Sequence, residues 1–375
     1  NVRDASGMYY WGRKQNTPEL VDRSRRIVNL ALCSPTNEAG FFCLVYAAKT
    51  KEWLRSTLGP SPHPNNIFAR ADSMYDVPAM SKTAAHLLEY YRQCEQDPRI
   101  PAYLRPYANS LLDRIDERGI IPSYYTSDMQ LVDDLKFSAQ PAATMWFLAE
   151  MAEVSGDEKY LDGAKRIATF LMKEILPKQL WIDLEPYYSC GHNPLSLRAD
   201  KEQGLPIRGN LSTSWAARGF AALYRTSQEM IYLDAGEAVV DYLSFSQASW
   251  APHYIYTAFP LGGFTADNID TATWLDARQC EMVAPFIWYG QTLNRKDLVE
   301  RGTAAARSSV VLINHPRHKE TGLYRHTNFY GFGLGPENIN HEGHNQSAMR
   351  THPSWGECSG IFTGLADADR MIHGD

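Results

Sequence analysis

"FSAQPAATMWFLAEMAEVSGDEKYLDGAKRIATFL", residues 137–171, decides the fold. Its first half, to Ala152, is small and apolar nearly all round. A helix without a polar face has to be covered by neighbours on most sides. In the second half Tyr160, Ala164, Ile167, Ala168, Leu171 and, just beyond the quoted stretch, Ile175 follow the helical period, with Phe170 at the margin of that face. Lys159, Lys165, Arg166 and Lys173 take the other side. Between the halves, "VSGDEK" supplies Gly156 to end one helix and Asp157 to cap the next. The stretch reads as buried helix, tight turn, amphipathic helix.

The amphipathic phrase recurs along the chain. "AYLRPYANSLLDR" from Ala102, "KYLDGAKRIATFL" from Lys159, "IYLDAGEAVVDYL" from Ile231 and "KDLVERGTAAARSSVVL" from Lys296 share a leucine at 104, 161, 233 and 298. Upstream of these lie apolar segments from Val77, Phe137, Thr213 and Cys280. "GECSGIFTGLADADRMI" adds one more buried helix and "ELVDRSRRIVNLALC" one more amphipathic helix. The expectation is five inner and five outer helices, with "FFCLVYAAKTKEWL" from Phe41 as a further helix of unassigned layer. Inner helices that are apolar nearly all round favour a closed ring over an open solenoid. The predicted fold is therefore all-α, an (α/α)6-type toroid with long loops and short β-hairpins on one face, and residues 1–375 form one such domain.

Turns from inner to outer helix are short, except around Gln96–Pro101, whereas the returns are long: about 119–136, 177–211, 247–275 and 315–354. Long ordered connections are usually functional. These carry aromatics, carboxylates, amides, arginine and histidine, the side chains that suit the apolar faces and hydroxyls of sugars.

Within this frame "SMYDVPAMSKTAAHLLEYY" (residues 73–91) and "DDLKFSAQPAATMWFLAEMAEVSGDEKYLDGA" (residues 133–164) resemble the unsaturated glucuronyl and rhamnogalacturonyl hydrolases of the six-hairpin glycosidase superfamily. The resemblance implies that Asp76 and Asp134 stand where that family keeps acidic residues.

Glycoside hydrolysis needs two carboxyl groups, one protonated and one ionised. Candidates are Asp76, Asp134, Asp276, Glu337, Glu342 and Glu357, with His344 as a further catalytic candidate. Asp276 stands beside Trp274 and Arg278, an acid with an aromatic platform and a guanidinium. Candidate substrate-binding residues are Tyr124, Tyr125, Arg208, Trp274, Arg278, Tyr324, His326, His341, His352 and Trp355. The "HEGH" run at 341–344 lacks the spacing of a zinc helix, and Pro336 and Gly343 favour a loop. No metal or other cofactor is expected. The runner-up chemistry is a polysaccharide lyase, whose base and carboxylate-neutralising groups could come from Tyr124, Tyr125, Arg208, Asn210, Tyr324, His326 and His344. An epimerase or a non-catalytic glycan-binding ring comes after it.

The expected partner is an oligosaccharide or polysaccharide. A net charge of −6 without a Lys/Arg run argues against nucleic acid, and apolar runs such as "MVAPFIWYG" are too short to span a bilayer. The chain opens with Asn1, as expected of a processed or excised piece, and an extracytoplasmic location, periplasmic or secreted, is expected. The six cysteines are far apart and read as free buried thiols.

Overall fold

The hairpin at 137–171 forms as its sequence predicts. α5 (Pro141–Ser155) ends on Gly156 in the left-handed conformation (φ 68°), whose N–H donates to the Ala152 carbonyl at 2.8 Å. Asp157 then accepts from the Lys159 N–H and starts α6 (Glu158–Phe170). Every residue of α5 from Pro141 to Ala152 is buried. On α6 the buried set includes Tyr160, Ala164, Ile167 and Ala168, and Phe170 is fully buried rather than marginal. Its shared leucine, Leu161, is half-buried, so in this copy Tyr160 is the anchor.

The computed structural model describes residues 2–56, 73–132, 136–184, 208–249, 261–265, 279–310 and 360–374. The remaining helices are α1 (Val2–Lys14), α2 (Pro18–Leu32), α3 (Val77–Gln93), α4 (Arg99–Leu112), α7 (Asn210–Ser227), α8 (Met230–Ser244), α9 (Cys280–Thr292), α10 (Lys296–Val310) and α11 (Gly360–His373). None of the described helices is long and apolar enough to cross a membrane. The chain divides into two compact units, one of Arg25–Val239 and the other of Arg3–Ser24 with Val240–Asp375.

In the first unit α3, α5 and α7 pack side by side, α5 in the middle, with α4 and α6 as a second layer. Fully buried Trp146, Phe147, Tyr107 and Phe220 fill the space between them; each such side chain contributes about 1.5–3 kcal/mol relative to exposure. Charged groups join the three helices toward their C-terminal ends. The buried Glu150 carboxylate on α5 accepts from Arg92 of α3 and Arg225 of α7, and Glu153 pairs with the same two arginines. Nearer the middle, Arg218 pairs with Glu89 at 3.1 Å, and His86 meets the same carboxylate at 3.1 Å. Burial pushes Glu89 upward, but the Arg218 charge and the His86 contact outweigh it and hold the carboxyl at about 2.

In the second unit α9 packs on α10 and α11. Buried Arg3 of α1 pairs with buried Glu281 of α9, and the Gly7 N–H of α1 reaches Thr363 Oγ1 of α11 at 3.3 Å. α1 lies outside the ten helices expected from the sequence. Its glycines count against a helix, yet a Cβ at Gly7 would come within 2.6 Å of the Thr363 nitrogen, and one at Gly12 within 2.8 Å of Val21. They are there for close helix contact.

Two further expectations are corrected. Residues 41–54 are not a helix: β1 (Val45–Ala47) and β2 (Glu52–Leu54) form an antiparallel hairpin, with Tyr46 opposite Trp53. The tight turn brings Lys51 to φ 60°, its N–H donating to the Ala47 carbonyl; β-branched and aromatic residues beside such a turn favour the extended form. Nor are all the thiols buried. Among the described residues Cys280 is buried, Cys43 and Cys94 are half-buried and Cys33 is exposed, and these four form no disulfide.

Candidate active site

The strand pair β3 (Tyr75–Asp76) and β4 (Tyr124–Tyr125) places Asp76 opposite Tyr124 at the start of α3. Asp76 is the N-cap of that helix, in extended conformation, and its Oδ1 accepts from the Ala79 N–H at 3.0 Å. A short acidic side chain before Val-Pro suits this position, because proline tolerates the first helical turn and the cap satisfies an orphan N–H.

From Asp76 a belt of extended segments crosses the N-terminal ends of α3, α5 and α7. The Val77 N–H donates to the Ser123 carbonyl at 3.0 Å, and Ser123 Oγ meets Ser138 Oγ at 3.3 Å. The Ala139 N–H donates to the Ile182 carbonyl at 2.9 Å, and the Gly209 N–H to the Trp181 carbonyl at 2.9 Å. The belt ends on Asp183, which is completely buried. The Ser212 N–H of α7 donates to its Oδ2 at 2.9 Å, and the Gln140 amide, at the start of α5, donates to its Oδ1 at 3.3 Å. A Cβ on Gly209 would sit 2.4 Å from Asp183 Cβ, so only glycine leaves room for it.

Burial is the main cause that lifts Asp76, to about 6. The Ala79 N–H and the Lys82 charge oppose the rise, and the Asp183 charge adds to it. Lys82 lies over the Trp215 ring of α7 at 5.7 Å. Two buried carboxyl groups thus stand at neighbouring helix starts, Asp76 capping α3 and Asp183 accepting from the Ser212 N–H and the Gln140 amide.

No protein-family model matches the sequence, and no curated protein matches it. Solved structures do. A sugar epimerase from a ruminal bacterium superposes with a TM-score of 0.58 at 13% identity, over 100% of this chain and 87% of that one. The fold is six-hairpin glycosidase-like. An unsaturated glucuronyl hydrolase specific for heparin follows with TM-score 0.56 at 11% identity, covering 98% of this chain and 84% of its own. An α-mannanase of Bacteroides thetaiotaomicron gives 0.54 at 13% identity, with 98% and 83% covered. The all-α toroid expected from the hairpins is thus the architecture of this chain.

Of the residues singled out in the sequence, the six-hairpin fold brings Asp76, Tyr124 and Tyr125 together on one strand pair. Asn210 is the first residue of α7 and Arg208 precedes its N-cap, so the two flank Gly209, the glycine that closes on Asp183. Tyr124 and Tyr125 are nearly fully buried, and burial raises the Tyr125 phenol above its ordinary value. Asp134, Asp276, Glu337, Glu342, His344 and Glu357 lie outside the described residues, as do Trp274, Arg278, Tyr324, His326, His341, His352 and Trp355. Among the described residues no cluster of histidine, cysteine and carboxylate side chains could hold a metal ion. Sequence reading missed Asp183 and Gln140. A signal was present: an aspartate in an apolar setting, "LWIDL", needs partners if it is buried.

Proposed function

We propose that this chain is a carbohydrate-processing enzyme, a glycoside hydrolase in which the Asp76 carboxyl gives its proton to the departing sugar oxygen. The observation that carries the reading is the environment of Asp76: a buried N-cap lifted to about 6, with the Asp183 charge in support. A general acid works best with a pKa near the working pH, and glycosidases obtain one by desolvating a carboxyl group near a second one. Asp183 is walled in by Ser212 and Gln140, so its part is to set the charge around Asp76. The carboxylate that activates water, in an inverting mechanism, is drawn from Asp134, Asp276, Glu342 and Glu357, with His344 beside them. Similarity of fold to sugar epimerases, a glucuronyl hydrolase and a mannanase supports a sugar substrate. The likeness of residues 73–91 and 133–164 to the unsaturated glucuronyl and rhamnogalacturonyl hydrolases supports one containing uronate or rhamnose. The reaction needs no metal, and an extracytoplasmic location goes with a polymeric substrate. The lyase reading is weaker at this site, because burial raises Tyr125 and makes it a poor base near neutrality.

The test is incubation with rhamnogalacturonan and glycosaminoglycan oligosaccharides, followed by chromatography and a reducing-end assay. New reducing ends, lost in Asp76→Asn, support the reading. Ultraviolet-absorbing products would indicate a lyase, an isomeric sugar without cleavage an epimerase, and unchanged oligosaccharides a binding protein; each would overturn it.

A further inference from the structure

The hairpin of β1 and β2 has a built root and an exposed outer part. At the root, Phe41 packs edge-on against Tyr75 (5.5 Å), Tyr107 (5.2 Å) and Tyr125 (5.7 Å), and so grips the strand pair that presents Asp76. On leaving β2 the chain lays the Arg55 guanidinium over the Tyr75 ring at 5.6 Å, one residue before Asp76. Between these anchors, Tyr46 and Trp53 face each other across the strands with ring centroids 5.2 Å apart. They do not go into the core: Tyr46 is 38% exposed and Trp53 half-buried. A short two-stranded hairpin is marginal alone, and turning its aromatic pair outward forgoes burial that would help hold it.

We propose that Tyr46 and Trp53 form an outlying sugar platform, which holds units of an oligosaccharide or polysaccharide beyond those at Asp76. The platform rests on the reading of Asp76 as the acid of a carbohydrate enzyme, and adds to it a preference for chains over disaccharides. Tyrosine and tryptophan offer apolar faces to the C–H side of a pyranose and keep a polar edge for its hydroxyls. Arg55 lies over the ring of Tyr75, the residue before Asp76, so the hairpin is anchored to the strand that carries the acid. Contacts that are equally good before and during reaction change KM and leave kcat alone.

The experiment compares Trp53→Ala, Tyr46→Ala and Trp53→Phe with the unaltered protein on rhamnogalacturonan fragments from disaccharide to octasaccharide. Expected is an increase in KM of about tenfold for the alanine variants on the longest fragments. The disaccharide KM and every kcat stay unchanged, and Trp53→Phe recovers most of the loss. Equal KM values at all lengths, or the same loss on the disaccharide, would overturn the platform while leaving the Asp76 reading intact. Failure of the unaltered protein to cleave any fragment of either rhamnogalacturonan or a glycosaminoglycan, run as a parallel series, would instead strike the Asp76 reading and the platform with it. Melting curves of Tyr46→Ala and Trp53→Phe identify a hairpin that has lost its fold; a KM loss that tracks melting rather than fragment length counts against the platform.

Discussion

Asp183, held by the Ser212 N–H and the Gln140 amide at the entrance to α7, carries a charge that lifts the carboxyl of Asp76 at the entrance to α3. Burial does most of the lifting, and the Asp183 charge adds to it.

Asp183→Asn removes that charge and keeps an oxygen for the Ser212 N–H. The carboxyl of Asp76 then falls only part of the way, because burial, the larger cause, remains, and the alkaline limb of kcat/KM against pH, near 6 in the unaltered enzyme, moves to lower pH. A pH–rate profile with an unmoved limb would show that Asp183 has no such influence.

Asp76→Asn separates stability from activity. The folded-state pKa of Asp76 lies above its ordinary value of 3.8, so its proton-linked stability is complete below 3.8 and is lost as pH rises through about 6. Asparagine still accepts from the Ala79 N–H and has no charge to bury. The variant should be the more stable protein above pH 6, by up to about 3 kcal/mol. That advantage disappears below 3.8, while kcat falls at least about a hundredfold. Thermal melts across this pH range check the first part and turnover checks the second.

Glu89→Gln acts in the opposite sense. Glu89 is held at about 2 against an ordinary value of 4.5, so its contribution is present above 4.5 and is lost as pH falls toward 2. The substitution leaves Arg218, itself 9% exposed, facing a neutral amide. It should cost about 3–5 kcal/mol at neutral pH. The cost should shrink as pH falls below 4.5, where the unaltered protein loses the same interaction. Denaturant unfolding at two pH values measures it.

Gly209→Ala puts a methyl group 2.4 Å from Asp183 Cβ and 3.0 Å from its Cγ. Asp183 must swing away from the Ser212 N–H, so the pH–rate limb should shift as in Asp183→Asn, with a further loss of about 1–3 kcal/mol in stability. A normal profile would mean that the belt yields without moving Asp183.

The hairpins were legible because their signals are local. Gly156 and Asp157 mark their turn by chemistry that needs no distant partner, and the even apolar character of α5 can only mean burial. The α1 helix was hidden, since Gly7 and Gly12 weaken it locally and make sense only against Thr363 and Val21. The hairpin at 45–54 reads as amphipathic in either period and is decided by the turn at Lys51. Asp76 could be found from its place before an apolar helix. Asp183 gave only the local hint of an aspartate among apolar neighbours, and its role comes from Gln140, Gly209 and Ser212, which lie far from it in sequence and meet it only in the folded chain.

The grip of Arg92 and Arg225 on Glu150 has a bearing on how the molecule breathes. Were one of these rods to peel off alone, it would strand a carboxylate or a guanidinium in greasy surroundings, which is costly. α3, α5 and α7 should therefore detach together or not at all, exchanging their slowest amide hydrogens at a common rate.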